Sequence, residues 1–391
     1  MTDNSIDIKA TIAAGFAALR RGDSKSARDS FDQVVATGKA NANVWYGLSL
    51  VHRNAGNAAE ENATLDKSLG LNPGHVPALI AKGDGYAGGG DLRAASSYYR
   101  TALEVAASQP AVAAELRLEL QRIESVCRGF TQQFEAHLLA AIANTGVNGP
   151  ATERFGHALD LLLGKRQIYF QQPKYFFFPE LPHVQFFDRR LFAWVESLQQ
   201  KTDAIRAELR AVLARGAGLE PYVKPQQHRP NFNPRGLLNN SDWSAYYLIR
   251  DGVEVAENAA TCPNTMAALH AVPMCRIKGR TPSVLFSLLR PGARIPPHHG
   301  FTNVRLICHL PLIVPGKCGL RVGNETRAWH EGELLIFDDS IEHEAWNSSD
   351  QLRVVLLFDI WRPELSPDER ALVTATMTSV DTFGPRGEWT D

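Results

Sequence analysis

Apolar and small residues recur every 34 positions through the first hundred residues. Gly22-Asp23, Gly56-Asn57 and Gly90-Asp91 share this spacing. So do Phe31, Leu65 and Tyr99, then Val35, Leu69 and Leu103, and the small residues Gly15, Ser49 and Gly83. Ala27 and Ala95 match, whereas Glu61 breaks that position. Within each unit the apolar positions follow a helical period, and the glycine sits where two helices would turn.

A 34-residue period with this punctuation is the tetratricopeptide pattern, in which each unit is a helical hairpin. Such a hairpin hides its apolar face only by stacking on a neighbour. Asn72-Pro73 closes the second repeat. Helical periodicity continues through Leu116, Leu118, Leu120 and Ile123, then Phe134, Leu138 and Ile142. The stretch from Val112 to Gly164 therefore reads as a capping or connecting helical segment. Gly146-Val147-Asn148-Gly149-Pro150 interrupts it with a turn, and one more helix follows. The expected organisation is repeats over 1–108, a helical connector over 109–170 and a third region over 171–391.

The pattern changes near Gln171. Residues 173–182, Pro-Lys-Tyr-Phe-Phe-Phe-Pro-Glu-Leu-Pro, are aromatic and punctuated by proline. A helix is expected from about Asp188 to Ala214. From Leu237 onward the chain reads as strands: Trp243 to Ile249, Ser283 to Leu289, Val304 to Val314, Leu320 to Val322, Gly332 to Phe337 and Leu352 to Trp361. These runs are rich in β-branched and aromatic residues and are separated by Pro, Gly, Asn and Asp. Many short strands late in a chain predict a sandwich or barrel of the jelly-roll kind.

Composition narrows the function classes. The 391 residues leave room for more than one domain with a sizeable core. A net charge of −1 gives no general basic footprint for nucleic acid. The cysteines, Cys127, Cys262, Cys275, Cys308 and Cys318, are scattered, odd in number and without a CxxC pair, so neither a zinc cluster nor a disulfide framework is indicated. A reducing cytoplasmic setting is expected. The first ten residues lack the pattern of a signal peptide. No apolar run approaches the ~20 residues needed to span a bilayer.

The candidate chemistry lies late in the chain. His343 stands in Ser340-Ile341-Glu342-His343-Glu344-Ala345-Trp346, and His298 in Pro296-Pro297-His298-His299-Gly300, 45 residues upstream. Both flank expected strands, so a β-scaffold can bring two imidazoles together, and imidazole suits Fe(II). Each alone is as compatible with a structural histidine. Arg353 sits in the apolar run Leu352–Phe358. It is either an outward arginine on an alternating strand or a buried guanidinium that grips a carboxylate in bidentate fashion.

Together these motifs carry a resemblance. Pro291-Gly292, Pro297–Asn303, Arg305-Leu306, His309-Leu310, Gly323–Thr326, Phe337–Ser340, Glu342–Glu344, Asp359–Trp361 and Pro363–Leu365 resemble the aspartyl/asparaginyl β-hydroxylase family of 2-oxoglutarate oxygenases, over about Tyr175 to Pro363. The resemblance implies a double-stranded β-helix that holds Fe(II) by His298 and His343 alone. Gly300 stands where related oxygenases place a carboxylate ligand, and His299 takes the variable position between. It also implies that Arg353 and Ser287 bind the distal carboxylate of 2-oxoglutarate, with His309 near the other carboxylate and Arg305 helping to seat the acidic cosubstrate or substrate. The alternatives are a polar residue on a half-exposed strand for Ser287 and a core histidine for His309. The family often has a second arginine where this chain has Ile307, which bears on whether aspartate is the substrate side chain.

The implied reaction is O2-dependent decarboxylation of 2-oxoglutarate to succinate and CO2, with hydroxylation of an unactivated carbon. The β-carbon of Asp or Asn in a peptide or protein is the first expectation, and a lipid A acyl chain is an alternative. A non-catalytic repeat scaffold with a degenerate β-helix is another. The helical repeats either present a peptide or protein substrate, or mediate dimerisation or support the β-domain.

Overall fold

The structure is a computed structural model that describes residues 6–109, 113–225 and 236–382. It divides into two compact units, 1–163 and 164–391. Val112, the expected start of the helical connector, lies outside the described residues.

The first unit is helical. Its three hairpins are α1 (Ile8–Arg20) with α2 (Ser24–Ala36), α3 (Ala42–Asn54) with α4 (Ala58–Leu71), and α5 (Val76–Gly88) with α6 (Leu92–Ala107). Gly22, Gly56 and Gly90 close the turns at φ 79°, 73° and 85°, a region that favours glycine. Asp23 and Asp91 then accept from Ser26 N and Ala94 N at the following helix starts, satisfying otherwise orphaned N–H groups. Phe31 and Tyr99 are buried and explain the small residues of the repeat. A Cβ on Gly15 would lie 2.6 Å from the Phe31 ring, and one on Gly83 would lie 2.4 Å from Tyr99. Glu61, which breaks the alanine position, pairs with Arg53 at 2.7 Å. α7 (Ala114–Ala143) buries Ile123 and Cys127 against the third hairpin, and α8 (Pro150–Leu162) follows a turn through Gly146 and Gly149. The two expected apolar stretches of the connector are thus one 30-residue helix.

The second unit is a double-stranded β-helix. Its strands are β1 (Phe186–Phe187), β2 (Glu220–Pro221), β3 (Trp243–Arg250), β4 (Val253–Glu254), β5 (Val284–Leu289), β6 (Arg294–His298) and β7 (Arg305–Ile313). They are followed by β8 (Cys318–Val322), β9 (Glu325–Arg327), β10 (Leu335–Phe337), β11 (His343–Asn347) and β12 (Arg353–Trp361). One antiparallel sheet has the order β1-β10-β7-β12-β5-β3-β2, with β4 beside β3, and the other has the order β6-β11-β8-β9. Alternation along the long strands separates two cores. Leu306, Cys308, Leu310 and Leu312 of β7, with Val354, Leu356, Phe358 and Ile360 of β12, face the helical layer. Burial of each large side chain there contributes roughly 1.5–3 kcal/mol. Ile307, Val355 and Leu357 face Leu320, Val322 and Ala345 of the small sheet, so positions of that parity point between the sheets.

Two expectations change. The helix expected over Asp188 to Ala214 is broken into a short 3₁₀ turn at Arg189–Leu191, α9 (Val195–Gln199) and α10 (Thr202–Arg215). Asp188 caps Arg190 N, and Phe192 adopts an extended conformation in which its ring packs on Phe187 and Trp194. The strands that carry the two histidines, β6 and β11, were not expected as strands. Pro296 and Pro297 lie inside β6, and a strand tolerates proline where one side is unpaired. β6 is an edge of the small sheet, which makes that possible. The short helices α11 (Ala256–Ala259) and α12 (Pro263–Leu269), and a final α13 (Pro367–Thr382), complete the unit.

Candidate metal and cosubstrate site

Strand register brings the two histidines together. β11 pairs antiparallel with β6, and His343 lies directly opposite His298. Their ring centroids are 4.0 Å apart, with the planes tilted by 51°. Nδ1 of His298 donates to Pro296 O at 2.8 Å, and Nδ1 of His343 donates to Ile341 O at 3.1 Å. A carbonyl only accepts, so each Nδ1 carries a proton, and in a neutral ring Nε2 then carries the lone pair. This is the second-shell arrangement that orients a metal-ligating imidazole. Burial, then the neighbouring His298, holds the His343 pKa well below the ordinary value. The ring is therefore neutral, the form a ligand must have.

Ser287, His309 and Arg353 all lie on the inner faces of their strands. Arg353 and Arg362 are the largest fully buried side chains among the described residues, at 1% and 0% exposure. Burial pulls its pKa down to about 10, so it remains cationic at neutral pH. Its Nη1 donates to Ser287 O at 3.3 Å, its guanidinium lies 4.7 Å from the Trp329 ring, and its Nε has no hydrogen-bond partner. Among the described residues no carboxylate pairs with it. A buried unmatched guanidinium is expensive unless an anion completes it. Ser287 Oγ accepts from Trp243 Nε1 at 3.1 Å, which keeps its own proton available to donate. His309 is held at a pKa of about 3 by burial and by the Arg353 charge, and its Nδ1 is buried without a partner.

Aromatic residues join this pair of sites. Trp243, which bonds Ser287, lies 6.4 Å from the His298 ring. Phe337 lies 5.0 Å from His309 and 5.6 Å from His343. Trp243, Trp329 and Phe337 were not singled out from the sequence. Trp243 and Phe337 bound expected strands, where inward parity was the one available signal and is the same for any core aromatic; Trp329 lies between strands and gave none.

Arg305 takes a different place. It lies four residues before His309, which is ~13 Å along a strand. Its guanidinium pairs with Asp339 at 3.2 Å and Asp359 at 3.5 Å. Asp339 also explains Gly300. A Cβ at position 300 would lie 2.0 Å from Asp339 Oδ2, and Gly300 N donates to Asp339 O at 2.7 Å. A carboxylate-bearing residue does not fit at 300, because the Asp339 side chain already occupies that space. Among the described residues no set of three His, Cys, Asp or Glu groups is arranged to hold a metal. The candidate donors are the two facing imidazoles.

A buried polar network fixes the loops around this centre. Asp338 accepts from Arg362 at 2.6 Å and from Gln171 at 2.7 Å. Asn303 donates to Gln171 Oε1 and Phe178 O and accepts from Phe178 N. The segment around residues 171–178 is thereby laid along Gly300 and Phe301, which accept from Lys174 N and Tyr175 N at 3.0 and 3.1 Å.

The β-domain thus combines a double-stranded β-helix, two facing imidazoles and a buried arginine that no described carboxylate pairs with. Residues 199–363 match the model of the aspartyl/asparaginyl beta-hydroxylase family. The chain is similar to the ornithine lipid ester-linked acyl 2-hydroxylase of Rhizobium tropici, 37% identical over 193 residues that cover 49% of this chain and 65% of that protein. It is also similar to the human aspartyl/asparaginyl beta-hydroxylase, 36% identical over 185 residues that cover 46% of this chain and 23% of that protein. The chain thus spans less than two thirds of either relative. Among solved structures, the Yersinia enterocolitica type III secretion translocator chaperone SycD aligns with 34% of this chain and 92% of its own, at 15% identity and a TM-score of 0.30.

Proposed function

We propose that the protein is an Fe(II)- and 2-oxoglutarate-dependent hydroxylase. The observation that carries this reading is Arg353, a buried cation with no carboxylate of its own, set on the same inner surface that faces the paired imidazoles. His298 and His343 would hold the iron through Nε2. Arg353 and the Ser287 hydroxyl would receive one carboxylate of 2-oxoglutarate. His309, kept neutral, would lie toward the other. The bound metal supplies the oxidising chemistry with O2. The protein supplies geometry and the exclusion of water. Per turnover one O2 and one 2-oxoglutarate yield succinate, CO2 and one hydroxyl on a substrate carbon.

Arg305 enters this reading through Asp339 and Asp359, whose charges it balances. It positions the loop that carries Gly300.

The first substrate reading is the β-carbon of Asp or Asn in a peptide or protein, delivered by the helical repeats. A second reading is an acyl chain. Ile307 favours it, because this buried aliphatic side chain lies on the inner face between Arg305 and His309 and offers nothing to a carboxylate.

The test is succinate formation from 2-oxoglutarate with Fe(II) and ascorbate in air, together with calorimetric binding of 2-oxoglutarate to metal-loaded protein. Wild type is expected to bind and to turn over. His343→Ala is expected to lose about 100-fold or more of the turnover while keeping its fold. Metal-loaded wild type that neither binds 2-oxoglutarate nor releases succinate would sink the proposal. Mass spectrometry of peptides and of acyl lipids after incubation separates the two substrate readings.

A further inference from the structure

The segment from Gly164 to Phe178 has a composition unlike any other in the chain. It holds Lys165, Arg166 and Lys174 and no acidic residue, with Tyr169, Phe170, Tyr175, Phe176, Phe177 and Phe178 among them. It forms no regular strand or helix, with bends at Lys174 and Tyr175 and a single bridge from Phe176 to Thr302. The inward-pointing side chains are accounted for. Tyr169 packs on the core between the sheets, Gln171 joins the buried network with Asp338, and Phe176 and Phe178 pack on the cluster around Phe301. The exposed side chains include apolar ones where polar residues would be ordinary. Ile168 is 65% exposed, Phe170 57%, Tyr175 41% and Phe177 52%.

Scattered exposed apolar residues are normal, but four between residues 168 and 177, in one short basic segment, are not. Aromatic rings combined with lysine and arginine suit the boundary between water and an anionic bilayer. The rings enter the acyl edge and the cations meet the headgroups. Position adds to composition. The segment hydrogen-bonds to Gly300 and Phe301, the residues that follow His298-His299. Chain held at this face therefore lies next to the histidine-bearing strand end. The buried Asn303–Gln171–Asp338–Arg362 network makes the segment a fixed platform and not a loose tail.

We propose that the exposed side chains of residues 165–177 dock the protein on an anionic lipid surface, beside the strand end that carries His298. No described helix is long and apolar enough to cross a membrane, so this contact is peripheral. The purpose of the contact, delivery of an acyl substrate, rests on the hydroxylase reading above. The contact itself does not.

The experiment is co-sedimentation of the full-length protein, without added iron, with phosphatidylcholine vesicles and with vesicles that also contain phosphatidylglycerol. Wild type is expected to partition onto the anionic vesicles and to be weakened by salt. Phe170→Ser with Phe177→Ser is expected to reduce partitioning roughly tenfold or more. Lys165→Glu with Lys174→Glu is expected to abolish the preference for anionic lipid. Leu191→Ser, at an exposed apolar position outside the segment, serves as the control and is expected to change nothing. Wild type that ignores both vesicles, or a Phe170/Phe177 variant that binds as wild type does, overturns the proposal and leaves a protein surface as what covers these rings. Vesicle binding by a protein that, when metal-loaded, neither binds 2-oxoglutarate nor releases succinate would instead retain the docking and reject the hydroxylase.

Discussion

The two units solve the same problem, the burial of apolar surface, with contacts of very different sequence range. In the helical unit Phe31 meets Gly15 on its own hairpin and Gly47 on the next. In the β-unit His298 meets His343 across 45 residues of chain, and Arg353 on β12 reaches Ser287 on β5. Local contacts repeat and can tolerate local loss. Non-local contacts converge on a single centre, where the Arg353 charge is buried with no described carboxylate beside it.

The largest stability effect is expected in the helical unit. Phe31→Ala removes a ring that is fully buried between hairpins and should cost about 3–5 kcal/mol. Hydrogen exchange should show the loss in α1–α3, with protection in β7 and β12 unchanged. Loss of protection in both units together would contradict the division into independent cooperative blocks.

The β-unit should behave in the opposite way at Arg353. Arg353→Met replaces a buried unmatched charge with an apolar side chain of similar length. Stability is expected to hold or to rise by ~1–4 kcal/mol. Binding of 2-oxoglutarate is expected to weaken by ~2–5 kcal/mol. Thermal unfolding and calorimetry on the same sample read both quantities. A destabilised variant would mean that Arg353 is structural and that the anion seat is misassigned.

A smaller effect is expected at Gly300. Gly300→Asp places a carboxylate where related oxygenases have a ligand, yet the space is filled by Asp339. The variant should lose roughly 1–3 kcal/mol through overpacking and gain no iron affinity. Adding Asp339→Ala should recover part of the loss. Tighter iron binding by the single variant would show that the two-imidazole set is not enforced by sterics.

The smallest effect concerns pH and the helical unit. His75 is buried, and burial lowers its pKa below the ordinary 6.5. Nδ1 accepts from Ala78 N at 3.2 Å, and Nε2 donates to Asn43 Oδ1 at 2.7 Å. The folded form therefore prefers the neutral ring. Above the unfolded pKa both states are neutral and nothing is lost. As pH falls below ~6.5 the unfolded chain takes up a proton that the folded chain resists, and stability declines toward the lower folded value. Melting of wild type and His75→Gln at pH 7.5 and 5.5 checks this, and the wild type should lose more.

The sequence alone sufficed for the repeats, because turn glycines, Asp caps and the 34-residue period are written within each unit. It also sufficed for the identity of His298 and His343 as a candidate pair and for the family resemblance. It did not suffice for the strands that carry those histidines. Pro296-Pro297 argues against a strand until the edge position of β6 is known, and His343–Asn347 is too short and polar to announce itself. Arg305 and Arg353 looked alike as strand arginines. Packing separates them, since one is neutralised by Asp339 and Asp359 and the other has no carboxylate partner among the described residues.

What the sequence determined, then, is local: hairpin repeats, turns and the set of residues able to do chemistry. The tertiary structure alone decided which face of each strand is inside, that His343 stands opposite His298, that Gly300 yields its space to Asp339, and that Arg353 is buried uncompensated. The reason is physical. A strand's two faces are equivalent along the chain, and they become different only when a second sheet and a helical layer pack against them.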